Sequence, residues 1–249
     1  MNGVEKARSQ IDVANWTGVE IGPLTRPIVR RGEGSIVYID HASTDELRRL
    51  YANQAHIDVA AIVDVDHVWG DHTLSQCVEG KRFNYCIASH VIEHVPDLIG
   101  WLNEVDDVLL PGGILSLVIP DKRYTFDIWR KPSGRREVYT AHLFRQRKPS
   151  PLQVFDHFSH YVPVDAVSIW SGHPPPPRPA QTRQAIRNAK LALRQYVDAH
   201  CWVFTPVSFR RLLDKLVEGG WVNFEIATFF GTEPNMAEFF VSLRKPPQP

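Results

Sequence analysis

The sequence predicts an α/β fold of the doubly wound kind, and three observations carry that prediction. Short apolar runs alternate with stretches of helical period through the first half of the chain. That rhythm belongs to a parallel sheet covered on both faces by helices. One apolar run ends in Glu20-Ile21-Gly22-Pro23, and the next closes on Asp40, which is the layout of a strand–helix–strand unit with a carboxylate at the tip of its second strand. Two further strand-like runs finish the chain, and the turn Gly231-Thr232-Glu233-Pro234-Asn235 between them is short enough for an antiparallel hairpin.

The elements follow in order. Gly18-Val19-Glu20-Ile21 reads as the first strand, and Ser35-Ile36-Val37-Tyr38-Ile39-Asp40 as the second. Ser43-Thr44-Asp45-Glu46 supplies an N-cap with acids in the first turn, and Leu47, Leu50 and Tyr51 continue as a helical stripe. A third strand is expected over Val59 to Val65, and a fourth over Phe83 to Ala88, which is rich in β-formers. Pro96-Asp97 opens a helix whose Leu98, Ile99, Leu102, Val105, Val108 and Leu109 recur at three and four. Pro111-Gly112-Gly113 stops it before a fifth strand, Ile114 to Pro120. Thr205-Pro206 is an N-cap with proline at the first helical position, Leu212, Leu213 and Leu216 form that helix's inner face, and Gly219-Gly220 ends it. The closing strands run Trp221 to Phe230 and Met236 to Leu243.

Periodicity fails between these halves. Residues 122–200 carry the Pro174–Pro177 run, many histidines and arginines, and an aromatic set including Trp129, Phe144, Phe155, Phe158, Tyr161 and Trp170 that needs burial. They are expected to form an insertion, a substrate lid, between a core of residues 1–121 and 201–249. Lys and Arg total 28 and Asp and Glu total 28, which gives no global pull toward a polyanion. Yet 14 of the basic and only 5 of the acidic residues fall between Lys122 and His200, so the insertion is a basic island on an acidic body. Cys77, Cys86 and Cys201 are odd in number and form no paired motif, which points to a reducing compartment. No leader pattern opens the chain and no apolar run reaches membrane-spanning length, so a cytoplasmic protein without membrane contact is expected.

The first turn narrows the ligand. Gly22 leaves room for a nucleoside, but Pro23-Leu24-Thr25-Arg26-Pro27 is bulky where a pyrophosphate cradle needs further glycines. An adenosine derivative lacking a diphosphate fits, and S-adenosylmethionine is the common one. At the fourth strand the pattern becomes specific. Ile87-Ala88-Ser89-His90-Val91-Ile92-Glu93-His94-Val95-Pro96-Asp97, then Val108-Leu109-Leu110-Pro111-Gly112-Gly113, resembles the class I S-adenosylmethionine-dependent methyltransferases of the small-molecule, type 11-like branch. Val118-Ile119-Pro120-Asp121-Lys122-Arg123-Tyr124-Thr125-Phe126-Asp127 is similar to a bacterial subgroup associated with glycan or natural-product tailoring. The resemblance implies a Rossmann-like seven-stranded sheet whose last strand is antiparallel. It also implies that Glu20 and Gly22 belong to the first cofactor motif, that Asp40 holds the ribose hydroxyls, and that Asp64 or Asp66 lies near the adenine. Ser89 and His90 would sit on the methionine side. The chain departs from the family at Pro23-Leu24-Thr25-Arg26, where a second glycine is more usual.

Methyl transfer from a sulfonium needs a positioned nucleophile and, for a hydroxyl, a proton acceptor. His94 and, in the Phe155-Asp156-His157-Phe158-Ser159-His160 stretch, His157 are the candidates for that acceptor. His90 to His94 matches an inverted zinc-protease pattern, but it lies between a strand and a proline-led helix, the wrong setting. Some ubiquinone-pathway relatives bind a divalent ion here through Glu-x-x-Glu-His. His90 stands in the first of those positions, so Glu93 and His94 are expected to border the cofactor pocket and no metal is expected. The leading expectation is transfer to a hydroxyl or amine of a sugar, glycan precursor or natural product. The alternatives are a nucleic-acid or protein methyltransferase, or a catalytically silent partner protein of the same fold. The acceptor and oligomeric state are not legible.

Overall fold

The computed structural model describes residues 1–54 and 57–247. Seven strands form one sheet: β1 (Thr17–Ile21), β2 (Ser35–Asp40), β3 (His67–Val68), β4 (Phe83–Ser89), β5 (Leu109–Pro120), β6 (Glu225–Phe230) and β7 (Glu238–Arg244). Their order is β3-β2-β1-β4-β5-β7-β6. β1 to β5 pair in parallel, and β7 runs antiparallel to both β5 and β6. This is the α/β, Rossmann-like sheet with an antiparallel last strand that the sequence predicts.

Helices cover one face. α3 (Leu74–Cys77), α4 (Leu98–Val108), α5 (Arg135–Leu143) and α9 (Pro206–Glu218) contribute Leu74, Leu102, Val138 and Leu212 to one core with Ile21, Cys86, Leu117 and Phe239 of the strands. The caps are as read. Asp97 accepts from Gly100 N at the start of α4, and Thr205 exchanges two bonds with Ser208 at the start of α9. Ser43 does the same with Glu46 at the start of α2 (Thr44–Tyr51).

The other face differs from expectation. Ile36, Tyr38, Tyr85, Ile87 and Ile114 are covered by Val29, Ile28, Ile11, Val13 and Trp16, all in irregular chain, while the short α1 (Gly3–Ala7) packs on Val118 and Phe240. No helix joins β1 to β2, so the expected strand–helix–strand unit is absent. The cause is local. Pro23 and Pro27 sit too close for a helix between them, and buried Glu20 takes over the hydrogen bonding of the loop: Ile28 N donates to Oε1 at 2.7 Å and Val29 N to Oε2 at 3.1 Å.

Two boundaries also move. Val59–Ala61 is a single 3₁₀ turn capped by Asp58, and the third strand is only His67–Val68. Pro111-Gly112-Gly113 does not separate helix from strand. β5 begins at Leu109, directly after α4, and takes up these residues as an irregularity between the pairs Phe83–Leu109 and Tyr85–Ile114.

Residues 122–200 carry four α-helices joined by irregular chain. α5 packs on α4 as part of the body, whereas α6 (Pro151–His160) and α8 (Thr182–Ala192) pair around Val154, Ala192 and Ala199, and α7 (Ala166–Trp170) lies between them in the chain. Among the described residues no helix is long and apolar enough to cross a membrane.

Candidate active site

The carboxyl ends of β1, β2, β4 and β5 meet at one edge of the sheet, where such folds bind ligands. At the tip of β1, Gly22 adopts φ +67, and a Cβ there would come within 3.1 Å of Val91 Cγ2. Its N–H is bonded to Ile39 O. Glycine is required by conformation and by space. Glu20, just before it, points into the loop rather than the cleft. Burial pushes its carboxyl up to about 7 despite the two backbone donors.

Asp40 ends β2 and is buried. Its Oδ1 accepts from His41 N and faces His41 Nδ1, each at 2.7 Å, while Oδ2 has no partner among the described residues. Asp66 is not free: its Oδ2 accepts from Tyr38 N at 2.8 Å and from Arg31 at 2.7 Å, locking it to the edge of β2. Asp64 is exposed and lines a shallow cleft with Thr25, Arg31 and Tyr38.

Ser89 ends β4 half-buried, and His90 follows at φ +54 with its N–H bonded to Val118 O. The His90 ring turns away along β7, with Nε2 3.0 Å from Glu238 Oε2 and Nδ1 3.6 Å from Glu93 Oε1. Burial disfavours its charge, but the two carboxylates outweigh that and hold its pKa at about 10.

The next residues converge with the end of the insertion. Glu93 O accepts from Cys201 N at 2.6 Å and Trp202 N at 3.1 Å, which binds the loop after β4 to the segment before α9. His94 Nδ1 is 2.8 Å from Asp198 Oδ1, and His200 Nδ1 is 2.6 Å from Asp127 Oδ2. The two rings meet edge to face, with centroids 4.7 Å apart. Asp127 is buried, yet the bonds to His200 and the Arg130 guanidinium hold it at about 2, and Asp198 sits at about 2 through its pairing with His94. At His94 burial opposes the charge, but the Asp198 bond wins and raises the pKa. Arg130 joins Asp127, Asp156 and the His200 carbonyl, so one buried guanidinium braces this wall.

His157 stands behind that wall. It is buried against Phe126, Phe158, Tyr161 and His200, and its Nδ1 accepts from His200 N at 3.3 Å. Burial lowers its pKa to about 4, a weak proton acceptor near neutrality. Tyr124 stacks on Trp170 with the Arg123 guanidinium 5.2 Å from its ring centroid, and Trp202 is buried with its indole N–H on Val95 O. Sequence reasoning missed His200 and Asp127 as a pair. The quoted stretch ending at Asp127 contained half of it, but nothing local marks His200 as its partner.

The model of a family described as "Methyltransferase domain" matches residues 15–216. No curated protein matches the chain. Among solved structures, the CurJ carbon methyltransferase aligns over 96% of this chain at 11% identity with a TM-score of 0.45, and this chain spans about half of it, 51%. The CcbJ methyltransferase from Streptomyces caelestis aligns over 98% of this chain and 97% of its own at 9% identity, TM-score 0.48. An S-adenosylmethionine-dependent methyltransferase assigned in Listeria monocytogenes aligns over 97% and 96% at 12% identity, TM-score 0.47. With the family match running from before β1 into α9, the chain belongs to the methyltransferase-domain family of class I, Rossmann-like enzymes.

Proposed function

We propose that this protein transfers a methyl group from S-adenosylmethionine to a hydroxyl or amine of a small molecule, a sugar, glycan precursor or natural product. One observation carries the reading: Asp40, whose Oδ2 has no partner among the described residues, directly follows the Ile39 carbonyl that binds the left-handed Gly22, at the same strand edge as the buried Glu93 and His200 and the half-buried His94. These residues fit the cofactor. A buried carboxylate with one unengaged oxygen can accept from two vicinal ribose hydroxyls, and a glycine at the turn allows the backbone to approach the nucleoside. The absence of a helix after β1 suits a ligand that carries no pyrophosphate. The cofactor supplies an electrophilic methyl on a sulfonium. The acceptor oxygen or nitrogen forms the new bond to carbon, the C–S bond breaks to leave a neutral thioether, and the acceptor's proton is released.

The acceptor side is assigned to the wall of His94, Asp198, Asp127 and His200, closed by α6 to α8 as a lid. His94, partly exposed at 31%, replaces buried His157 as the side chain nearest the acceptor. The basic surplus of the insertion supports an anionic acceptor such as a phosphorylated sugar.

Calorimetric titration with S-adenosylmethionine, followed by transfer of labelled methyl to a panel of sugar phosphates, phenols and amines, tests the reading. One site per chain and label in a small molecule are expected. Absence of cofactor binding by folded protein overturns it, and label found only in RNA or protein moves the substrate class.

A further inference from the structure

Among the described residues Glu93 is the least satisfied buried polar side chain. It is 1% exposed, and neither carboxylate oxygen has a hydrogen-bond partner among the described residues. Its closest imidazole nitrogen, His90 Nδ1 at 3.6 Å, is beyond hydrogen-bond reach. His90 therefore gives it an ion-pair neighbour but no hydrogen bond, and a buried carboxylate with both oxygens unbonded is stabilised by a cation that binds them directly.

Two histidines stand around it in a particular state. His94 donates Nδ1–H to Asp198 and His200 donates Nδ1–H to Asp127, so each ring is fixed by a carboxylate and keeps Nε2 as its remaining lone pair. Outer carboxylates that orient imidazoles in this way are the usual supports of metal-ligating histidines. One donor atom from each of Glu93, His94 and His200 lies within 4.8 Å of the others. Metal bonds of about 2.1 Å place donor atoms roughly 3–3.5 Å apart, which small rotations of these side chains would reach.

We propose that Glu93, His94 and His200 hold one divalent transition-metal ion. Two imidazoles and one carboxylate suit Zn²⁺ or Fe²⁺ rather than Mg²⁺ or Ca²⁺, which prefer all-oxygen shells. Three protein ligands leave a position open for an oxygen of a bound molecule. The sequence expectation of no metal followed from His90 in the first position of a local motif. The third ligand comes instead from His200, beyond the insertion, where no motif reaches. That the open position receives the acceptor rests on the methyl-transfer reading; the ion site itself does not.

The test uses the full chain, stripped with chelator and titrated with Zn²⁺ by calorimetry and with Co²⁺ by visible absorption. One ion per chain is expected. Glu93→Gln and His200→Gln should weaken binding on the order of 100-fold or more, and Asp198→Asn by about 10–100-fold. Asp198 is 64% exposed, so that variant keeps the fold if the buried ones lose it. His173→Gln, an exposed histidine outside the cluster, should change nothing. His90→Gln should retain the ion if His90 is only a neighbour. Failure to bind, or equal binding by wild type, Glu93→Gln and Asp198→Asn (an adventitious ion only), overturns the proposal. A parallel S-adenosylmethionine titration separates the two readings: cofactor binding without metal sinks this inference alone, and metal binding without cofactor sinks the assigned function alone.

Discussion

Glu20 makes the stability of this protein fall as the solution becomes less acidic. Its side chain is buried between β1 and the loop to β2, and burial raises its pKa from 4.5 to about 7. At about 1.4 kcal/mol per pH unit that rise corresponds to roughly 3 kcal/mol. The sign follows from which state holds the proton. Below pH 4.5 both folded and unfolded chains are protonated and the contribution is fully present. Between 4.5 and about 7 only the folded chain keeps the proton, so stability is lost progressively; above that range the loss is complete. Glu20→Gln removes the titration while keeping the shape. Urea unfolding of both proteins from pH 5 to pH 8 should show the variant gaining on the wild type by up to about 3 kcal/mol across that window, and the comparison cancels every other titrating group. Opposing it are the two backbone donors at 2.7 and 3.1 Å, which favour the charged form. If the difference between the proteins does not change with pH, those donors dominate and the argument from burial is wrong.

Asp40→Ala should weaken S-adenosylmethionine binding by about 1.5–3 kcal/mol in calorimetry without loss of fold, and an unchanged dissociation constant would remove Asp40 from the ribose. Tyr85→Phe should stabilise the protein by about 1 kcal/mol in urea unfolding, because the Tyr85 hydroxyl is buried without a partner among the described residues. Gly18→Ala should destabilise by about 1–3 kcal/mol, since its Cβ would lie 2.0 Å from the Tyr85 ring. Tyr85→Leu in the same chain should recover part of that loss in a double-mutant cycle. His157→Gln, which can still accept from His200 N, should leave turnover within about tenfold; a 10²–10⁴-fold drop with unchanged cofactor affinity would restore His157 as the base.

What could be read from the sequence was what local chemistry decides. The capped helices at Ser43, Asp97 and Thr205, the β-rich run at Phe83 and the closing hairpin all declare themselves within a few residues, and each is present. The misreadings came where a distant partner overrides a local pattern. Val59 to Val65 looks like a strand by composition, but Ile62 packs with Ala42 and Leu47 instead of joining the sheet. The loop after Gly22 was expected to coil into a helix, and nothing nearby shows that Glu20 will claim its amides. The paired histidines are the extreme case. His94 and His200 meet only because the insertion returns its last residues to the loop after β4, a contact with no signature at either end.

The position of β7 has a consequence for how the chain is made. It is the last strand in chain order, yet it is inserted between β5 and β6 and pairs with both. The turn before it donates Thr232 Oγ1 to Asp121, receives the Trp170 indole on Met236 O and pairs Glu233 with buried Lys6. During synthesis, therefore, β6 leaves the ribosome before it has a neighbour, and the first helix, the end of β5 and α7 wait for a common clasp. The nascent protein should stay open and prone to capture by chaperones until this segment emerges, and then close in one late step governed by long-range contacts.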